Sequence, residues 1–513
     1  MFDTQQDVIP VTSAPNVRSA VSTNLDPTTP LDDTAPSPPE DRFGHVETIG
    51  VEYIPESERD SRPLNMLAVF FGGNLAFSVI VFGWLPITFG LSFGSALAAS
   101  AIGIGLGTLL IAPLSLLGPR TGTNNTVSSG AHFGVSGRMI GSGLTLLFAL
   151  AYAAIAVWTS GDALVAAAHR LFGTPVDNGM LALGYGIIAA EIVAVALFGH
   201  GTVVALQKFV LPVVAALLLL GVFAFGGHFD GGAGSGDYLL GGFWPTWILA
   251  VVLAVGGPLS YAPTLGDYSR RISRVRFSDR SIVAATMAGI FFGLFLTAAF
   301  GSFTASTFTT LSDSYVADLV AEAPGWYVLP IVLVALAGGL GQGVLNVYAS
   351  GLDLEALIPR LRRVHTTLIT SALAVALLYI GVFVVDAVDS ITAMTLVLNG
   401  FAAPWVAINV AGFLVARRGQ YDAVDLQVFN LGRKGGRYWF TGGWNLRAVI
   451  PWAAGSLFGL LAVDTSLYSG PLADIAHGVD VSLIGSSVIA VAGYLVALRL
   501  WPEHVAPVEA PSS

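Results

Sequence analysis

The sequence predicts an all-α polytopic membrane protein of twelve transmembrane helices, the first ten forming two five-helix units of opposite topology. Three observations carry this. Charged residues make up only 11% of a chain that is 54% hydrophobic, twelve apolar runs reach spanning length, and the first is interrupted by Gly-Gly-Asn as the sixth is by Gly-Gly-Pro.

A soluble domain carries about a quarter charged residues, so a 513-residue chain with this composition and a mean hydropathy of +0.73 confines its charge to loops and tails. With no cysteine, disulfides, thiolate catalysis and cysteine metal sites drop out together. No HExxH-type cluster, phosphate loop or nucleophile–base pair stands in for them, so neither an enzyme nor a bound cofactor or metal is expected. The net charge of -10 gives no sign of a nucleic-acid partner. The partners expected are the lipid bilayer and a small molecule, and the oligomeric state is not legible.

Residues 1–62 are rich in Pro, Ser, Thr and Asp and lack a signal-peptide core, which predicts a disordered tail. Its end, Val46 to Pro55, is less polar and reads as a linker or as a segment lying along the membrane face. Apolar runs follow at about 63–89, 94–117, 139–168, 180–198, 203–226, 245–267, 281–303, 325–352, 364–385, 391–415, 446–464 and 480–501, each long enough to span. Basic residues fall in alternate connections, from Arg120 and Arg138 through Arg270 to Arg280 and on to Arg433 and Arg437, while the opposite loops hold little beyond Arg170. That asymmetry predicts cytoplasmic termini in a plasma (inner) membrane. The loop 302–326 has room for a short outer helix that could act as a lid. Gly103, Gly105 and Gly107 predict a close packing face in span two. The Asn124-Asn125-Thr126 sequon falls on the cytoplasmic side and reads as a chance match.

Gly72-Gly73-Asn74 interrupts span one, and Gly256-Gly257-Pro258 followed by Pro263 interrupts span six. Proline removes a donor and glycine loosens the backbone, and peptide groups stranded in hydrocarbon are tolerated mainly where they line a cavity. The breaks recur five spans apart, so the second unit returns inverted, the pattern of secondary transporters with a midplane site. The division is 63–226 and 245–415 for the repeats, 416–445 for a cytoplasmic loop, 446–501 for helices eleven and twelve, and 502–513 for a cytoplasmic tail.

Several motifs, taken in order, resemble the nucleobase-cation symporter family, which includes the purine-cytosine permeases. They are Phe71-Gly72-Gly73-Asn74, Phe89 to Gly94, Thr121-Gly122, Phe133 to Gly137, Gly266-Asp267-Tyr268-Ser269-Arg270, Asn346 to Leu352, Arg417 to Asp422, Gly436 to Trp439 and Gly443-Trp444-Asn445. The resemblance covers about residues 45–465. It implies a LeuT-like fold of two inverted five-helix repeats plus two C-terminal helices, moving a heterocyclic base by alternating access. It also implies that Tyr152 takes the place of the tryptophan on which relatives stack the base, and that Pro258 replaces an aromatic beside the span-six break. Where sodium-coupled relatives place hydroxyls in span eight, this chain has Leu340, Gly341 or Gln342, which points to proton rather than sodium coupling.

A planar base needs a stacking face and in-plane hydrogen-bond partners. Gln342 and Asn346, at i and i+4, share one face of span eight; such amides either read a substrate or bind a neighbouring helix, and their match to the family's amide positions favours the substrate. Asn74 either joins them or satisfies backbone freed at its break. Gly73, Gly257, Pro258 and Ser260 border the breaks, Phe77 lies one turn beyond the first, and Trp158 is a pocket wall or packing residue. Carboxyls inside spans are costly and suspect: Glu191, and after it Asp162, are the candidate proton carriers or else hydrogen-bonded structural groups. Asp267 beside Arg270 reads as a structural ion pair or cytoplasmic gate. The function expected is import of cytosine or purines by proton symport; the alternatives are another small ring such as allantoin, hydantoin, uracil or a vitamin, or, from another class, a channel or membrane sensor.

Overall fold

The computed structural model describes residues 52–501 except 199, 233–235, 310, 312–313, 359, 362, 385–386, 466 and 477–478, together with 503 and 506–509. The expected N-terminal tail therefore lies outside the described residues up to 51, as does most of 502–513. Among the described residues ten helices are long and apolar enough to cross a membrane. Pro63–Gly73 and Phe77–Thr88, bent by 59°, make an eleventh, and Leu446–Ala462 is a shorter apolar helix. Span one is the bent pair. Spans two to twelve are Phe93–Thr121, Met139–Phe172, Asn178–Ala196, Gly201–His228, Phe243–Tyr261, Asp279–Ala305, Gly325–Leu357, Val364–Phe383, Ile391–Ala416, Leu446–Ala462 and Ser482–Leu500. The chain is an integral membrane protein.

Spans one, two, six and seven pack on one another, and spans three, four, eight and nine form a second group; eleven and twelve lie against ten. Small residues set how closely these helices approach. A Cβ on Gly83 would stand 1.8 Å from the Ala298 carbonyl oxygen, and one on Gly301 2.0 Å from that of Ile80, so spans one and seven touch backbone to backbone. The expected glycine face of span two is only partly one face: Gly103 and Gly107 press on Val251, Val255 and Pro258 of span six, whereas Gly105 has only Phe291 within reach, at 3.7 Å. Gly105 lies about 200° around the helix from Gly103, which takes it off that seam.

The break of span one falls at the expected residues. There the Asn74 and Leu75 amides donate to Phe71 and Gly72 in tightened turns. The break of span six does not. Its helix runs through Gly256, Gly257 and Pro258 to Tyr261, turns at Ala262–Thr264 where Pro263 stands, and resumes over Leu265–Ser269. Neighbours hold the glycine stretch helical. A Cβ on Gly256 would meet the Asn399 amide at 2.6 Å, and Gly107 lies against the Pro258 ring. One missing donor at Pro258 leaves a helix intact when it is packed on both sides; the glycines serve close approach, and the backbone parts one turn later.

The loop after span seven carries the expected short helix, Tyr315–Glu322. Its Tyr315 ring lies 6.1 Å from Trp84, and its hydroxyl is 2.7 Å from that of Thr304. On the arginine-rich face the family-like motifs grip one another: the Ser136 amide donates to the Gly443 carbonyl at 2.8 Å and the Asn445 amide to that of Phe133 at 2.7 Å. Lys434–Gly436 pairs antiparallel with Ala506–Glu509. Residues 52–62 lie along the same face, with Ile54 bonded to Gly122 and Ser61 to Arg271.

Candidate functional site

The two breaks open onto one cavity, walled by spans one, two, three, six, seven and eight. Six of the residues singled out in the sequence line it: Asn74, Tyr152, Gly257, Ser260, Gln342 and Asn346. Gly73, Phe77, Trp158 and Pro258 do not. A Cβ on Gly73 would overlap Leu345, Phe77 is buried in the core, and Pro258 faces Gly107 of span two. Trp158 hydrogen-bonds Asp162 instead.

The span-eight stripe behaves as i, i+4 spacing demands. Gln342 accepts a hydrogen bond from the Ser78 hydroxyl, which fixes its amide. Asn346, one turn on, has a buried Nδ2 with no hydrogen-bond partner. A buried unmatched donor facing a cavity is costly, and an in-plane acceptor of a ligand would satisfy it. Asn74 carries the structural duty that the sequence left open. Its Nδ2 donates to the Phe70 carbonyl at 2.6 Å, an acceptor left free by the tightened turn, and its Oδ1 accepts from the Tyr261 hydroxyl at 2.8 Å. The Ser260 hydroxyl donates back to the Gly257 carbonyl at 2.7 Å.

One wall is aromatic. Tyr152 lies parallel to Phe148, with centroids 6.3 Å apart and planes 16° apart, and Phe82 tilts against it at 6.2 Å. Tyr261 and Tyr268 complete the lining, both edge-on to Phe70. Tyr261 is not legible as a site residue in the sequence, because Gly256-Gly257-Pro258 draws the break about a turn ahead of Ala262. With the turn at Ala262, the aromatic beside the break is Tyr261 rather than a residue at the place of Pro258. Asn125, whose sequon reads as a chance match, donates to the Ala262 carbonyl at 2.7 Å and to that of Leu114 at 3.1 Å, so it caps the second break. Its signal was a polar residue fully buried in a loop, which sequence alone does not display.

The carboxyl candidates lie off the cavity. Asp162 accepts from the Tyr185 hydroxyl at 2.7 Å as well as from Trp158, so it is a hydrogen-bonded pair of spans three and four. Glu191 is half-buried with Oε2 unpartnered. Asp267 and Arg270 are fully buried on the arginine-rich face, where Asp267 lies beside Asp353 of span eight, which Arg138 also faces. Among the described residues no group of three or more His, Cys, Asp or Glu side chains could hold a metal ion.

Residues 53–484 match the family described as permeases for cytosine/purines, uracil, thiamine and allantoin. The chain is 25% identical over 467 residues to YxlA of Bacillus subtilis, provisionally named a purine-cytosine permease, covering 88% of this chain and 96% of that one. It is also 27% identical over 184 residues to a vitamin B6 transporter of Saccharomyces cerevisiae, 34% of this chain and 30% of the relative. Among solved structures it is similar to Mhp1, a nucleobase-cation-symport-1 family transporter in a closed conformation with bromovinylhydantoin bound, at a TM-score of 0.70 and 17% identity over 88% of this chain and 94% of that one. That likeness establishes a LeuT-like fold.

Proposed function

The chain belongs to the family of permeases for cytosine/purines, uracil, thiamine and allantoin, and from that premise we propose that it imports cytosine or a purine by proton symport through alternating access. It is a secondary transporter of nucleobases and related substrates and not an enzyme. The observation that carries the finer reading is the unpartnered Asn346 Nδ2 in a cavity that also has an aromatic wall and is lined by both broken spans. The ring stacks on Tyr152, Asn346 and Gln342 read its edge, and Ser260 with the Gly257 backbone supplies further polar contacts. Such a wall takes any flat heterocycle; the amide gives the edge specificity.

Glu191 carries the proton, with Asp162 as the less favoured carrier because its carboxyl is already committed to Tyr185. Coupling arises where protonation and the base favour the same state. The arginine-rich face is cytoplasmic, as are both termini, and the membrane is the plasma (inner) membrane. Asp267 and Arg270 belong to the closure beneath the cavity on that side. The resemblance to a vitamin B6 transporter supports a second reading, a pyridine ring in place of the base.

The test is uptake of labelled cytosine, adenine, hypoxanthine, uracil, allantoin and pyridoxine into proteoliposomes under an imposed proton or sodium gradient. Accumulation of cytosine or a purine under the proton gradient alone is expected. Accumulation of pyridoxine alone would replace the substrate, and equilibration without accumulation would replace the transporter by a channel.

A further inference from the structure

Span five sends Gln207 into the seam between the break of span one and the middle of span eight. The side chain is fully buried. Its Nε2 donates to the Gly341 carbonyl at 2.6 Å, while its Oε1 has no hydrogen-bond partner. Glycines on both sides make the room. A Cβ on Gly72 would stand 2.9 Å from both Oε1 and the Gln207 carbonyl oxygen, and one on Gly341 would stand 3.4 Å from Oε1.

In discontinuous membrane helices the unwound backbone is where a coupling cation finds carbonyl ligands. Here the span-eight carbonyl of Gly341 already receives the positive end of an amide dipole, which supplies to it what a cation would. The adjacent span-eight positions, Leu340 and Gln342, offer no hydroxyl to build a ligand set, and Gln342 is committed to Ser78. We propose that the Gln207 side-chain amide is a fixed internal occupant of the seat that a monovalent coupling cation would take between the span-one break and span eight, and that it makes the loaded state independent of sodium. This deepens the reading of the chain as a proton-coupled transporter and rests on its being a transporter of this fold.

The experiment uses the full chain, purified and reconstituted, with sodium chloride compared against choline chloride. Two readouts are taken: the melting temperature and the uptake of cytosine. Wild type is expected to be indifferent to sodium in both. Gln207→Glu turns the donor on Gly341 into an acceptor and adds a charge, so sodium is expected to raise its melting temperature by several degrees and its uptake several-fold. Where that variant does not fold, Gln207→Ser, which vacates the seat and leaves a hydroxyl, is expected to give the smaller shift of the same sign. Sodium-dependent stabilisation of wild type overturns the inference, and so do folded variants that bind cytosine yet stay indifferent to sodium. Wild type indifferent to sodium and proton gradients alike would overturn proton symport while leaving the role of Gln207 standing.

Discussion

The hydroxyl of Tyr261 donates to Oδ1 of Asn74 at 2.8 Å, joining the last helical residue before the span-six break to the residue that ends the first half of span one. The same amide donates to the Phe70 carbonyl at 2.6 Å, so one side chain both closes its own break and holds the other. Removing it leaves a buried carbonyl and a buried hydroxyl without partners, a cost of about 1–3 kcal/mol for each unmatched group. Asn74→Ala is expected to lower the melting temperature in detergent by more than Tyr261→Phe does, because the phenylalanine unpairs only one amide oxygen. Equal shifts would mean that the Phe70 carbonyl finds another donor.

Asn346 and Gln342 are one turn apart but differ in their partners. The Asn346 Nδ2 bonds nothing, whereas Gln342 is tied to Ser78. Asn346→Ala is therefore expected to leave thermal stability nearly unchanged and to raise the KM for the transported base by on the order of 10- to 100-fold, equivalent to ~1–3 kcal/mol. Gln342→Ala is expected to lose stability as well, since it strands the Ser78 hydroxyl. Uptake kinetics paired with melting curves separate the two.

The contrast between these residues marks what the sequence could display. Spans, the span-one break and the i, i+4 amides are periodic or compositional signals, and they lie where the sequence puts them, whereas the span-six break lies about a turn later. The exact turn in span six was not legible, because Gly256-Gly257-Pro258 is as breakable as Ala262-Pro263-Thr264 until the packing of Asn399 and Gly107 against it is known. Asn125 and Gln207 were illegible for a related reason: each acts on a carbonyl more than a hundred residues away, Ala262 and Gly341 respectively. The carboxyls of Asp162 and Glu191 were legible as unusual, but sequence does not tell a hydrogen-bonded carboxyl from a free one.

His132, in the connection between spans two and three, is fully buried with its Nε2 3.1 Å from the Tyr421 hydroxyl. Burial, with the Arg417 guanidinium adding to it, holds its imidazole well below the usual 6.5. The folded state thus binds this proton less readily than the unfolded chain. Stability from this group is present in full above about pH 6.5 and falls as the pH drops toward the folded value. The melting temperature is expected to decrease from about pH 7.5 to about pH 5.5, and His132→Gln is expected to be less stable at the upper pH but to show a shallower slope. A slope unchanged by the substitution would assign the pH dependence to other groups.

Glu191→Gln tests the coupling role directly, because the amide keeps the shape of the side chain and removes its proton. If Glu191 carries the coupled proton, the variant is expected to bind the base and exchange it across the membrane, yet to lose accumulation under an imposed proton gradient. Asp162→Asn is expected to keep accumulation, since the Tyr185 hydroxyl can donate to the amide oxygen in place of the carboxylate. Full accumulation by Glu191→Gln would remove it from the mechanism.

Glycine positions separate seam from lipid face most sharply in span two. A Cβ on Gly103 would lie 2.4 Å from the Val251 carbonyl oxygen and one on Gly107 2.9 Å from that of Val255, both backbone atoms that cannot swing aside, whereas the nearest atom to a Cβ on Gly105 is a ring carbon of Phe291 at 3.7 Å. Gly103→Ala and Gly107→Ala must push spans two and six apart, a cost of about 1–3 kcal/mol. Gly105→Ala makes ordinary contact and gains helix propensity, about 1 kcal/mol in a soluble helix. The two seam variants are expected to melt lower than wild type and Gly105→Ala at or above it. Because Gly107 sits against Pro258 and Gly257 lines the cavity, the Gly107→Ala displacement also reaches the substrate. It is expected to raise KM as well as lower stability.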